Sequence, residues 1–365
     1  MKPSSSRTMQ PALDVLRILA ALMVLTVHTG LLTGLQSQTA FGANGVTLFF
    51  ILSGYLTQIS LERTSRISDY YRRRALRILP LYWLTLAIRY LYDLIAVLAA
   101  GIPAAEIFSL QGTCGPGWLR YVFFLQMWIP SDNWMLWNNR NVLWTMSAFA
   151  FFYLAVPWLH RLVVRFRSRF AASFVLLLLC IGGKGMLGRG IEVSLSALPQ
   201  GSVDQISEFS AKMPLMVLYA FLFGTTLYWA VREGHQLFYG GFCLLLPALF
   251  GFERMAYEGA FTALLLLAVQ SPGGERLSPR AAGALHFLSA GSFFLYLAHP
   301  MLLGLLPTLS DAPGWMRWGM QLAVTVGCCA VCYLLYGLVV RRYEQAIARR
   351  FSPSARRFSP SKERQ

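Results

Sequence analysis

The sequence predicts an all-α integral membrane protein of about ten transmembrane helices, with the N- and C-termini cytoplasmic. Three observations carry the membrane reading: 56% of the 365 residues are hydrophobic, only 13% are charged, and the mean hydropathy is +0.51. A soluble chain of this length needs more polar surface, whereas a membrane protein turns its apolar excess toward lipid. The net charge of +16 invites a nucleic-acid reading. That would require basic residues grouped with aromatics on a soluble face, and here they fall between apolar stretches, so no nucleic-acid partner is expected.

At about 20 apolar residues per crossing, the spans fall near 12–33, 45–61, 77–99, 141–160, 171–188, 212–231, 236–252, 255–271, 285–306 and 315–340. Asp14 and Arg17 interrupt the start of the first span, and more spans follow it, so it does not read as a cleaved signal peptide. Only Arg232-Glu233-Gly234 and Gly251-Phe252-Glu253-Arg254 separate spans six, seven and eight. With the N-terminus inside, and Lys and Arg near most span ends counted with the adjoining loop, 23 of the 32 fall on the cytoplasmic side and seven outside, with Arg17 and Arg89 left within spans, which sets the orientation. Residues 1–340 then form one membrane domain and 341–365 a basic cytoplasmic tail. Its Arg pairs at 341/342, 349/350 and 356/357 read as a membrane-surface helix anchored on lipid, then a Ser/Pro/Arg-rich end.

One outside connection, 100–140, is punctuated by Gly and Pro and holds an apolar run at 118–129 that is too short to cross. A re-entrant or interfacial segment fits. Toward its end Trp134, Trp137, Asn138 and Asn139, with Trp144 just beyond, mix flat aromatic faces with amide donors and acceptors, a combination suited to a sugar. An aromatic belt at the membrane interface is the alternative. Five of the six cysteines lie in apolar runs. The group Cys328, Cys329 and Cys332 has no His or acid beside it, so packing is expected and metal is not.

Ionisable groups within a span are costly and mark function by default. Arg17 and His28 are 11 residues apart, three turns plus about 20°, so they share one helix face roughly 16 Å apart, and Asp14 shares it too. Arg17 reads either as a functional cation or as a snorkelling side chain paired with Asp14 at i, i+3. His28, in the outer half of the bilayer, suits a general base. His299, about 21 Å along span nine, lies at a similar depth. His160, His235 and His286 fall at loop edges, where solvation accounts for them. Between spans two and three, Arg74 and Arg77 are i, i+3 neighbours at a helix start, where guanidinium forks bind phosphate oxygens; a positive-inside loop is the alternative.

Four segments, taken together, resemble the acyltransferase 3 family of integral membrane acyltransferases. Arg17 and His28 are similar to its Arg and His separated by ten residues, and 45–56, with Ser53-Gly54-Tyr55, to its second-helix signature. Arg74-Ala75-Leu76-Arg77 before Pro80 resembles its Arg-x-x-Arg motif, and Ser292 to His299 its late Ser-Tyr-x-x-Tyr-Leu-x-His motif, with Phe293 for the first Tyr. In the fourth span, where family members carry Trp-Thr/Ser-Leu-x-x-Glu, this chain has Trp144-Thr145-Met146-Ser147-Ala148-Phe149, and a carboxylate restored at 149 is expected to lack a partner.

The resemblance implies transfer of an acyl group, usually acetyl from acetyl-CoA, to a hydroxyl of a bacterial surface polysaccharide or exopolysaccharide, or of its lipid-linked sugar precursor, by a multi-pass protein of the bacterial inner membrane. CoA phosphates are expected on Arg74, Arg77 and Arg17, with the pantetheine arm along the Asp14/Arg17/His28 face. His28 is the expected base, with His299 and Ser53 in support. Some family members carry a fused hydrolase-like domain. The residues after Val340 are too few for one, so other glycan-assembly proteins are the expected partners. Two other readings compete: a transporter or flippase of lipid-linked sugars using the polar stripe as a path, and an inactive scaffold, which Phe149 keeps open.

Overall fold

The structure, a computed structural model, describes residues 11–31, 38–64, 66–101, 119–128, 142–196, 203–250, 252–271, 277–304 and 314–350. Among these there is no strand. The helices are α1 Pro11–His28, α2 Gln38–Glu62, α3 Ile67–Ala99, α4 Leu119–Val122, α5 Trp144–Val163, α6 Arg169–Ser196, α7 Val203–Lys212, α8 Pro214–Glu233, α9 Gln236–Phe250, α10 Phe252–Gln270, α11 Pro279–Gly304, α12 Gly314–Leu335 and α13 Arg341–Arg350, with a π-helical turn Tyr336–Val340 joining the last two. Each span expected from the sequence falls on one of these helices. Seven are long and apolar enough to cross a membrane, in α1, α2, α5, α6, α8 (with the end of α7), α11 and α12. Of the other three, α9 and α10 are shorter apolar helices, and α3 is long but carries five arginines.

The sequence reading misplaces the start of α3. The segment 67–76 looked like a charged connection, yet the helix begins at Ile67, and Arg74 and Arg77 lie two to three turns inside it. An Asp69–Arg72 pair at 2.9 Å, spaced i, i+3, supports that first turn and lets a basic stretch remain helical.

At the centre is α8, buried without interruption from Tyr219 to Ala230. It packs along α2, α5 and α6; α2 in turn lies on α1, α1 on α11, and α11 on α12, while α9 pairs with α10. Small residues set the closest crossing. A Cβ on Gly54 of α2 would fall on the Phe221 carbonyl oxygen, and one on Gly224 of α8 would fall on that of Ile51. Two glycines therefore let the backbones of the two central helices touch, which maximises dispersion contact where lipid supplies no hydrophobic drive. Polar side chains tie other helices together: Tyr239 donates to the Phe223 carbonyl at 3.0 Å and Thr226 to that of Ser173 at 3.2 Å. At one end of the bundle Glu233 accepts from Ser168 Oγ and from the Arg169 and Phe170 amides, capping the start of α6 from another helix.

Most of the expected re-entrant segment lies outside the described residues. Its described part, 119–128, is a short helix and turn docked on α3, where Tyr82 and Trp83 donate to the carbonyls of Tyr121 and Val122 at 2.7 and 3.2 Å. Phe124 adopts φ 62°, a strained value for a bulky residue, and its ring stacks on Tyr82 at 4.7 Å.

Candidate active site

The pairing of α1 with α11 brings together polar groups far apart in sequence. At one end of the pair, the His28 and His299 rings meet edge to face with centroids 4.9 Å apart. Each Nδ1 lies against the carbonyl one turn back in its own helix, Val24 at 2.8 Å and Leu295 at 3.1 Å. A carbonyl only accepts, so Nδ1 of both rings carries the proton and Nε2 of both is the free base. The surroundings differ. His28 is exposed, whereas His299 is 1% exposed and its Nε2 has no partner among the described residues.

Toward the other end of the pair lies a cavity of about 100 Å³ between α1, α2, α3, α5 and α11. Arg17, Arg74 and Arg77 line it, with Ser53, Ser289 and Ser292, and apolar side chains including Phe49, Met146 and Phe149 form its walls. Thus Arg17, Ser53, Arg74 and Arg77, chosen from three separate helices, share one cavity. Arg74 is the most firmly held: it donates to Thr57 Oγ1 at 3.2 Å and its guanidinium lies 4.7 Å from the Tyr153 ring centroid. Arg17 is close enough to Arg77 and Arg74 to feel the repulsion of both. An anion bridging them removes that repulsion and gains charge-assisted hydrogen bonds.

One aromatic ring separates the cavity from the histidines. Tyr296 and Phe49 line it and contact each other at 5.5 Å, and the Tyr296 ring is 6.2 Å from that of His299. Tyr296 is fixed there by Thr145, whose hydroxyl is 2.8 Å away, and by donating to the Val142 carbonyl at 3.2 Å. Tyr296 and Thr145 each belong to a segment that resembles a family motif, but nothing in the sequence joined the two.

Asp14 meets Arg17 at the i, i+3 spacing read from the sequence. It is buried and does not line the cavity; its Oδ1 accepts from Ser289 at 2.6 Å and from Arg17 at 3.5 Å, and its Oδ2 faces His286 at 3.6 Å. A carboxylate repels phosphate, so this geometry fits a group that holds Arg17 rather than one that touches an anionic ligand.

Trp144 also stands apart from the cavity, packed edge-on to Phe50 with Lys212 Nζ 5.7 Å from its ring. Lys212 lies within electrostatic reach of His28. Trp134, Trp137, Asn138 and Asn139 lie outside the described residues.

Two further expectations change. His160 is not a solvated loop-edge group: it sits inside α5, with Nδ1 2.8 Å from Gln58 Oε1 and its ring stacked on Trp229. Phe149 does not lie in a wholly apolar setting. It lines the cavity with the three arginines and stacks on Tyr153, the ring that Arg74 covers, so a carboxylate at 149 would find cations. The Phe149→Glu protein is therefore expected to fold, and its new carboxylate to compete with an anionic donor. For CoA, the donor that the sequence resemblance implies, titration should show weaker binding than in the parent; unchanged affinity would place residue 149 away from the bound anion.

The sequence reading also missed a second polar group inside the bundle. Tyr219 donates to the buried Glu258 at 2.7 Å and Lys184 to Tyr219 at 3.2 Å, linking α6, α8 and α10. The signal was available, because Lys184 and Glu258 each interrupt an apolar stretch. Cys328 and Cys332 pack beside Ala21, Leu25 and Leu295, and among the described residues no cluster could hold a metal ion.

The chain is thus a helical membrane bundle in which one aromatic ring separates a basic cavity from a pair of histidines. The sequence profile of the acyltransferase domain family, acyltransferase 3, matches residues 10–337, nearly the whole chain. The chain belongs to that family. It is similar to acyltransferase MdmB of Streptomyces mycarofaciens, 26% identical over 324 residues that cover 80% of this chain and 79% of that protein. It also resembles nodulation protein 10 of Rhizobium leguminosarum bv. viciae, 27% identical over 171 residues, 40% of this chain and 43% of that protein. No solved structure matches it.

Proposed function

We propose that the protein is a membrane O-acyltransferase that moves an acetyl group from acetyl-CoA to a hydroxyl of a surface polysaccharide or exopolysaccharide, or of its lipid-linked sugar precursor, at the bacterial inner membrane. One observation supports this reading above the others: Tyr296 lines the cavity with Arg17, Arg74 and Arg77, and its ring is 6.2 Å from His299, which meets His28. CoA phosphates lie on the arginines, at the cytoplasmic side, and the pantetheine arm follows the cavity. The thioester reaches the histidines, where the acceptor enters from the opposite side.

His28 Nε2 takes the proton of the acceptor hydroxyl as its oxygen attacks the thioester carbonyl. The new C–O bond forms, the C–S bond breaks, and the proton passes to the leaving sulfur, which gives the O-acetyl sugar and free CoA. Asp14 and Ser289 hold Arg17 in place.

Deleting the gene in its own host and analysing surface glycans tests the function: O-acetyl groups are expected to disappear and to return with the intact gene. Glycans unchanged in acylation would defeat the reading. Arg74→Ala or Arg77→Ala should raise the Kd for CoA by about tenfold or more without changing acceptor binding, since each removes charge-assisted hydrogen bonds to phosphate. Arg→Lys should recover only part of the loss, because the bidentate fork is gone. CoA affinity unaltered in both Ala proteins would return these arginines to a topological role.

A further inference from the structure

A fourth arginine stands beside the basic end of the cavity. The π-helical turn Tyr336–Val340 carries α12 directly into α13 and sets Arg341 against α11, its guanidinium 5.5 Å from the Phe287 ring centroid. Phe287 is two residues before Ser289 of the cavity wall, about 3 Å along the helix axis. The Phe287 ring also meets that of Tyr336 at 5.3 Å, and Tyr336 lies within electrostatic reach of both Arg77 and Arg341. Arg77 and Arg341 therefore flank one aromatic pair, the first inside the cavity and the second outside it.

Arg341 is exposed, and among the described residues it makes no ion pair. Glu344, one turn on, is held by the Tyr336 hydroxyl at 3.0 Å.

Coenzyme A carries two separate anionic groups: the pyrophosphate, and a phosphomonoester on the ribose 3′ oxygen. If the pyrophosphate lies among Arg17, Arg74 and Arg77, the 3′-phosphate needs its own cation nearby and outside the narrow part of the cavity. We propose that Arg341 is a donor-binding residue that takes the 3′-phosphate of coenzyme A, with the Phe287 ring supporting its guanidinium. This rests on the donor reading above. It makes the first residue of α13 part of the site, and it makes the protein select CoA thioesters over donors that lack the 3′-phosphate.

The test is equilibrium binding of CoA and of 3′-dephospho-CoA to the purified full-length protein in detergent. The parent should bind CoA about tenfold more tightly than dephospho-CoA, the amount that one charge-assisted contact supplies. In Arg341→Ala that preference should vanish, with dephospho-CoA affinity unchanged, and Arg341→Lys should restore part of it. Arg77→Ala, by contrast, should weaken both ligands. A parent that binds the two ligands equally, an Arg341→Ala protein that keeps the full preference, or one that loses affinity for both to the same degree would each overturn the assignment of Arg341. A parent that binds neither ligand would overturn the donor reading itself.

Discussion

Replacing His28 by Ala will abolish acyl transfer and leave the protein folded. Nδ1 of His28 is committed to the Val24 carbonyl, so the ring acts through Nε2 alone, and no other free base on α1 can replace it. Loss of a positioned base lowers a rate by roughly 10²- to 10⁴-fold. The side chain is exposed at the end of α1, so its removal opens no cavity in the core. His28→Gln should be as inactive as His28→Ala, because an amide keeps the hydrogen bonding but cannot take up a proton. Both proteins should bind CoA like the parent, because the arginine cavity is untouched. Transfer rates within a few-fold of the parent in either protein would remove His28 from the chemistry.

Gly54→Ala, like Gly224→Ala on the facing helix, should cost the bundle a large part of its stability. The new Cβ would meet the Phe221 carbonyl oxygen, which is main chain and cannot rotate away, so α2 and α8 must separate along their crossing. Overpacking of side chains costs about 1–3 kcal/mol, and a backbone collision at the centre of the bundle exceeds that range. Thermal unfolding in detergent should show a protein that melts far below the parent or aggregates during purification. Any folded fraction should have lost CoA affinity, since Ser53 lies next to the displaced position and lines the cavity. A melting temperature equal to the parent's would show that the two helices are not in contact there.

The features legible in the sequence were those that local rules control. An apolar period with polar interruptions located the helices, and the 11-residue spacing put Arg17 and His28 on one face of α1. The illegible part was tertiary. The i, i+3 pairing of Asp14 with Arg17 was legible, but Ser289 meets Asp14 across 275 residues, and nothing in either local pattern marks that contact. Phe149 looked isolated for the same reason, because its cationic neighbours come from α1 and α3. The start of α3 failed differently. Density of charge suggested a loop, while pairing at i, i+3 allowed the basic stretch to stay helical.

In the proposed function donor and acceptor reach one site from opposite faces of the membrane, and sealed vesicles from cells making the protein test this directly. Labelled acetyl-CoA, which does not cross the bilayer, is added to the outside of inside-out and right-side-out vesicles carrying their own glycan acceptors. Label is expected in the glycans of intact inside-out vesicles, and in those of right-side-out vesicles only after they are permeabilised. Equal labelling of intact right-side-out vesicles would contradict it.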